Sequence, residues 1–182
     1  MPGRLKGKKA LITGASSGIG AGVAIAFAKE GADVVINYPN KAQEPNAKKV
    51  ASEVRKYKRK VFLVQADVSK EAPVKKMVNT AIKKLGHLDI LVNNAGIATG
   101  APVEEMPVSM WDQMISINLR SVYLCTHFVL PHMYKRNKGK IVSTASQLAY
   151  LDSQNFSHYC ATKAAIIAFT KSLSREIGNR NI

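Results

Sequence analysis

Lys9-Ala10-Leu11-Ile12-Thr13-Gly14-Ala15-Ser16-Ser17-Gly18-Ile19-Gly20 is the stretch on which the reading of this 182-residue chain turns. A β-rich run, Lys9–Thr13, leads into three glycines spaced Gly-x3-Gly-x-Gly, and these open a helical stretch, Gly18–Glu30. Glycines in that context serve a tight turn and a close approach of backbone to a pyrophosphate. The N-terminus of the following helix supplies unpaired N–H groups and a dipole that favours anions. The spacing differs from the commoner Gly-x-Gly-x2-Gly. Gly14 to Gly18 also match the Gly-x-Ser-x-Gly elbow of hydrolases, which needs upstream strands, a downstream acid and a histidine. Here the motif follows the first strand, and nothing marks Asp152 or His158 as partners. A purely structural turn is the third reading.

Outward from this loop, short β-rich runs alternate with longer helical stretches. The runs are Asp33–Tyr38, Val61–Gln65, Ile90–Val92 and Lys140–Thr144; the helical stretches are Glu44–Tyr57, Glu71–Leu85, Pro107–Tyr134 and His158–Gly178. Val34-Val35-Ile36 is apolar on consecutive positions, the pattern of a strand covered on both faces. Gly31 and Gly86 stand where helix ends tolerate a left-handed residue. Repeated strand–helix units with short loops predict one doubly wound α/β domain with a parallel sheet, spanning residues 1–182. The chain stops four residues past Gly178, beside an apolar fifth strand that proteins normally cover. The expectation is a C-terminally incomplete domain with its last strands missing.

Composition sets the class. Hydrophobic residues make up 46% and charged residues 21%, which excludes a disordered or fibrous chain. No apolar run approaches the roughly 20 residues of a membrane span. Two cysteines, Cys125 and Cys160, read as free thiols of a reducing compartment, so a cytoplasmic protein is expected. The net charge of +15 is spread along the chain in pairs and short runs, the pattern of a solvated surface. Only Arg55-Lys56-Tyr57-Lys58-Arg59-Lys60 has the basic–aromatic flavour of a nucleic-acid contact, which argues against nucleic acid as a partner. The four histidines show no metal-ligand pairing.

Two further motifs join the glycines: Asn93-Asn94-Ala95-Gly96 after the fourth strand, and Tyr159-Cys160-Ala161-Thr162-Lys163 opening the last helix. Together they resemble the short-chain dehydrogenase/reductase family, over essentially the whole chain. Among its members, the 3-oxoacyl-carrier-protein reductases and glucose dehydrogenases look most similar. The resemblance implies a Rossmann-like sheet and an NAD(P)-dependent oxidoreductase. Such an enzyme transfers hydride between nicotinamide and a small carbonyl or secondary alcohol substrate. It also implies a homodimer or homotetramer paired through the two long helices, which carry apolar Tyr123, Phe128, Ala165 and Phe169. The alternative is a catalytically inactive nucleotide-binding fragment acting as a binding module.

The catalytic set transfers by position. Tyr159 and Lys163, four apart, share one face of a helix, where the cation stabilises tyrosinate for general acid/base work. The resemblance implies that Ser146, thirteen residues before Tyr159, would hold the substrate oxygen, and that Asn118 matches the family asparagine linking the lysine to solvent through water. The resemblance assigns the cofactor to Gly14, Ser16, Ser17, Gly18, Ile19 and Gly20 of the loop. Asp67 and Val68, Asn94, Ala95 and Gly96, and Tyr159 and Lys163 complete that set. Singly, each residue has a plain alternative: Ser146 as a cap, Asp67 as a turn former before Ser69. Ala98, Gln147, Leu148 and Phe156 are the expected pocket residues, and Trp111 is expected to pack.

Cofactor choice rests on the end of the second strand, where an acid reads the ribose hydroxyls of NAD. Tyr38 stands there, with no carboxylate beside it, and Lys41 is the nearest cation for a 2′-phosphate. NADP is therefore expected, with NAD as the alternative.

Overall fold

The computed structural model describes residues 3–182. Five strands, β1 (Lys9–Ile12), β2 (Asp33–Tyr38), β3 (Val61–Gln65), β4 (Ile90–Asn93) and β5 (Lys140–Ser143), form one parallel sheet in the order β3-β2-β1-β4-β5. Helices α1 (Gly18–Lys29), α2 (Glu44–Lys56), α3 (Glu71–Leu85), α4 (Val108–Met114), α5 (Ser121–Arg136) and α6 (Ser157–Ile177) flank it.

Strand alternation sorts the core into two layers. Ala10 and Ile12, Val34 and Ile36, Ile90 and Val92 face one way, into a cluster with Ala24 and Ala28 of α1 and Ala47, Val50 and Val54 of α2. The residues between them, Leu11, Val35 and Leu91, face the other way. They meet Val74, Met77 and Val78 of α3 and Leu124, Val129 and Met133 of α5. Both faces are thus covered, and this is why the strands are apolar on consecutive positions. Gly86 ends α3 in the left-handed conformation, φ 82°.

Where a single helix was expected over Pro107–Tyr134, the chain forms α4, a π-helical segment at Ile115–Arg120, and α5. Within the π segment Asn118 reaches the Ile97 backbone, while its Nδ2 also contacts Met114 Sδ one turn earlier at 3.0 Å and Thr162 Oγ1 at 3.4 Å. Its Oδ1 accepts from Ile97 N at 2.8 Å and its Nδ2 donates to Ile97 O at 2.9 Å. A wider turn accommodates that bond pair, as π segments do at functional sites. Trp111 on α4 is 42% exposed rather than packed.

The strand order places the site. β1 and β4 are neighbours, and the chain leaves them toward opposite sides of the sheet, so their C-terminal ends bound a crevice at the topological switch point.

Candidate active site

The crevice is a cleft of about 930 Å³ lined by the loops after β1, β2, β3, β4 and β5 and by the start of α6. Gly14, Ser16, Ser17, Gly18 and Ile19 line one wall, and Asp67 with Val68 another. Asn94, Ala95, Gly96, Ser146, Tyr159 and Lys163 line the remainder. Gly20 lies behind this wall. A side chain there would run into the Asn94 amide and come within 2.6 Å of the Gly14 carbonyl. Gly14 has φ 60°, and a Cβ on it would stand 2.8 Å from Ala95 Cα, so the two loops touch backbone to backbone.

Thr13 locks those loops together. Its hydroxyl donates to Val92 O and accepts from the N–H groups of Asn94 and Ala95, both at 3.0 Å. The Asn94 amide returns bonds to the carbonyls of Thr13 and Gly14. Asn93 donates to Thr126 and Ser143, tying β4 to α5 and β5. The Asn93-Asn94 pair thus ties β4 to β1, β5 and α5. Above the loop, Ser17 caps α1 with no side-chain bond, and the first turn holds no acid. The N–H groups and hydroxyls at that helix start face the cleft with no acid in their own turn, and Asp67 stands on another wall. Glycines that a Cβ would overfill and a neutral, donor-rich wall fit a dinucleotide pyrophosphate.

At the other end, Lys163 is 4% exposed and its ammonium donates to Thr144 O at 2.8 Å. Burial pushes its pKa below the usual lysine range. The ammonium sits 5.6 Å from the centre of the Tyr159 ring. Gly96 passes close to both Lys163 and Asn118, where a Cβ would meet Asn118 Oδ1 at 3.3 Å. Asn118 is fully buried beneath the cleft rather than lining it. Ser146 lines the cleft while its hydroxyl also accepts from Leu148 N at 3.2 Å, so the capping role is real. Asp67 likewise both lines the cleft and turns the chain, its Oδ1 accepting from the N–H and hydroxyl of Ser69.

Two expected residues are displaced. Tyr38 is buried in the core layer beneath α1 and α2, not in the cleft. Lys41 is exposed at the start of a short 3-10 turn, Lys41–Gln43, outside the lining, close enough to Glu44 to help lower that carboxyl, whose main cause is Lys48. In their place Asn37, Pro39, Asn40 and Gln43 reach the cleft. Asn40 caps the turn by accepting from Gln43 N, and Ser16 donates to Gln43 Oε1. Ala98 and Gln147 line the cleft as expected, whereas Leu148 and Phe156 do not. Cys125 is buried, which pushes its thiol up to about 12 and leaves it inert.

The model of the family described as short chain dehydrogenase matches residues 8–182. The chain belongs to the short chain dehydrogenase family. It is 36% identical over 175 residues to the 3-oxoacyl-[acyl-carrier-protein] reductase of Staphylococcus epidermidis, covering 96% of this chain and 71% of that one. The Staphylococcus aureus enzyme of the same name matches at 36%, covering 96% and 70%. A short chain dehydrogenase from Burkholderia cenocepacia, solved in complex with NADP, superposes with a TM-score of 0.91 at 37% identity, over 98% of this chain and 72% of that one. A short-chain type dehydrogenase/reductase from Mycobacterium marinum gives 0.93 at 33% identity, over 98% and 72%. This short chain dehydrogenase is an NAD(P)-dependent oxidoreductase on a Rossmann-like parallel sheet. No helix among the described residues is long and apolar enough to cross a membrane.

Proposed function

We propose that this protein is an NADPH-dependent reductase of a carbonyl carbon, working equally in reverse on a secondary alcohol, with Tyr159 as its general acid/base. The observation that carries this reading is the buried Lys163 beside Tyr159 at the floor of a cleft whose far wall is a glycine loop. The nicotinamide, when bound, carries the hydride. Tyr159 holds the proton that the substrate oxygen gains or loses. Lys163, fixed by Thr144 and with no carboxylate partner among the described residues, directs its positive charge at the phenol oxygen's surroundings. Ser146 offers a second hydroxyl to the same substrate oxygen. Asn118, through Ile97, holds the Asn94–Gly96 loop against Lys163. The family match favours this reading over the binding-module alternative.

The relatives' names make 3-oxoacyl thioesters the first substrates to assay. NADPH over NADH is supported by the end of β2, where the cleft wall is Pro39, Asn40 and Gln43 with Ser16 and Ser17, and no carboxylate reads the ribose. Pairing through α5 and α6 is part of the proposal. Tyr123 is exposed there, whereas Phe128 packs inward against the core.

The test is Tyr159→Phe. Turnover is expected to fall below a detectable level, roughly 10²–10⁴-fold as for loss of general acid/base help, while NADPH still binds. A variant that keeps about a tenth of the wild-type rate overturns the assignment of Tyr159.

A further inference from the structure

Asn37 has no place in the chemistry above, yet it is 1% exposed and every polar atom of its side chain is engaged. Its Oδ1 accepts from Gly14 N at 3.1 Å. Its Nδ2 donates to Ala66 O at 3.0 Å and Val64 O at 3.3 Å, and reaches Tyr38 O at 3.4 Å. Its main-chain carbonyl also accepts from Ala15 N at 2.9 Å. One planar amide therefore joins the first turn of the glycine loop to the end of β3, where Ala66, Asp67 and Val68 enter the cleft. Among the described residues, no other side chain bridges those two loops.

We propose that Asn37 is a positioning residue of the dinucleotide cleft, holding the glycine loop and the Ala66–Val68 segment in their bound geometry before the cofactor arrives. This rests on the reading of the cleft as a dinucleotide site. The sheet does not need the amide: β2 and β3 are already paired from Val34–Val61 to Tyr38–Gln65, and the flanking Val35 and Ile36 pack by burial alone. A buried amide is favourable only when fully paired, and here the two shortest bonds go to Gly14 and Ala66, in loops that line the cleft, and the longer ones to Val64 and Tyr38 at the strand ends that lead into those loops. The site also needs both halves of the group. An acceptor must meet Gly14 N–H and a donor must meet the carbonyls of Val64 and Ala66, which a neutral amide does and a carboxylate does not. In Asn37→Asp the second oxygen faces three carbonyls, so the loops separate, and cofactor binding must then order them at the expense of affinity. Protonating that carboxyl restores a donor at the same place.

The experiment is a fluorescence titration of the full chain with NADPH, wild type beside Asn37→Asp, at about pH 8 and about pH 5.5, with melting temperatures taken in parallel. The expected result is affinity weakened by at least about tenfold at the higher pH, as for a buried hydrogen-bond network broken on one side. At the lower pH the ratio to wild type moves back toward one, while kcat at saturating NADPH stays near wild type throughout. A variant that melts lower but binds NADPH within about twofold of wild type at both pH values overturns the proposal and makes Asn37 a fold residue. Wild type that fails to bind NADPH overturns the cleft reading itself, a result distinct from any behaviour of the variant. Should Asn37→Asp not fold, Asn37→Ser is put through the same titration at about pH 8. About tenfold weaker binding with an unchanged kcat supports the proposal, and binding within twofold of wild type overturns it.

Discussion

At the C-terminal ends of β1, β2 and β4 stand the buried polar residues Thr13, Asn37 and Asn93 with the half-buried Asn94 beside them, all of them neutral. At the opposite ends of the same strands they are Asp33 and Asp89, each paired with an arginine. Asp33 Oδ1 accepts from Arg59 at 2.7 Å and from Lys60 N at 2.9 Å. Asp89 takes Arg136 at 2.9 Å on one oxygen, and Lys9 N at 3.0 Å and the His87 ring on the other. The two ends face different demands. The cofactor end must hold its loops in register without adding buried charge beside an anionic ligand, and these amides and a hydroxyl do that, leaving Asp67 and Lys163 as the charged groups of the cleft lining. The basal end lies away from the cleft, and ion pairs within the chain close it. Burial alone would raise the Asp89 carboxyl, but Arg136 and His87 bring it below the usual range.

The strongest way to break the cofactor end is to separate the two loops that touch at Gly14. Gly14→Ala adds a Cβ 2.8 Å from Ala95 Cα at a left-handed backbone, so NADPH binding is expected to disappear while the sheet still forms. Gly18 has a similar φ, 55°, but a Cβ there meets nothing within 4 Å. Gly18→Ala then carries only backbone strain of about 1–2 kcal/mol and retains measurable affinity. Equal losses in the two titrations would show that contact between the loops is not what matters.

At the basal end the expected effect is smaller and of another kind. Asp89→Ala leaves Arg136, Lys9 N–H and His87 without their shared acceptor, at about 3 kcal/mol for a broken, largely buried pair. That corresponds to a melting temperature lower by roughly 6–12 °C. KM for NADPH and kcat, measured well below the melting temperature, are expected to stay at wild-type values. A change in KM at constant stability would deny that the two ends are independent.

The sequence shows the sheet and most of the cleft because both depend on local pattern. Consecutive apolar residues mark covered strands, and Gly14, Asn94 and Tyr159 sit in motifs tied to strand and helix ends. The ribose end of the cleft was misplaced for a reason of parity. Counting eighteen residues from Gly20 reaches Tyr38, but strand alternation sends Tyr38 with Val34 and Ile36 into the layer under α1 and α2. Asn37 points to the other side, and Asn40 and Gln43 enter the cleft because a 3-10 turn follows the strand. The π segment has no mark in the apolar pattern, which runs through Pro107–Tyr134 unbroken, and it coincides with the long-range bonds of Asn118 to Ile97 and Thr162. The basal cluster has no local signature at all. His87 and Lys9 are 78 positions apart, and Leu88 and His132 are 44 apart.

That cluster supplies the smallest expected effect, a dependence of stability on pH. His132 Nε2 accepts from Leu88 N at 3.1 Å, which requires that nitrogen to carry no proton. His87 Nδ1 faces the Lys9 ammonium at 3.2 Å while Nε2 donates to Asp89 at 3.2 Å, so it too is held neutral. Burial lowers the pKa of both rings. For His87, Asp89 opposes the shift while Arg136 and Lys9 add to it; for His132, Arg136 and His87 add to it. A histidine whose folded pKa lies below its unfolded value of about 6.5 contributes stability that is fully present above that value. The contribution is lost as pH falls from there through the folded pKa, because the unfolded chain binds the proton first. The melting temperature is therefore expected to drop between about pH 7 and pH 5, before any carboxylate in the cluster titrates. His87→Gln with His132→Gln keeps an acceptor for Leu88 N and a neutral group beside Lys9, and removes both titrations. The double variant should flatten that part of the curve while leaving NADPH affinity at each pH in the same ratio to wild type. An unchanged slope would place the acid sensitivity elsewhere, and a changed ratio would mean that the basal charges are felt in the cleft.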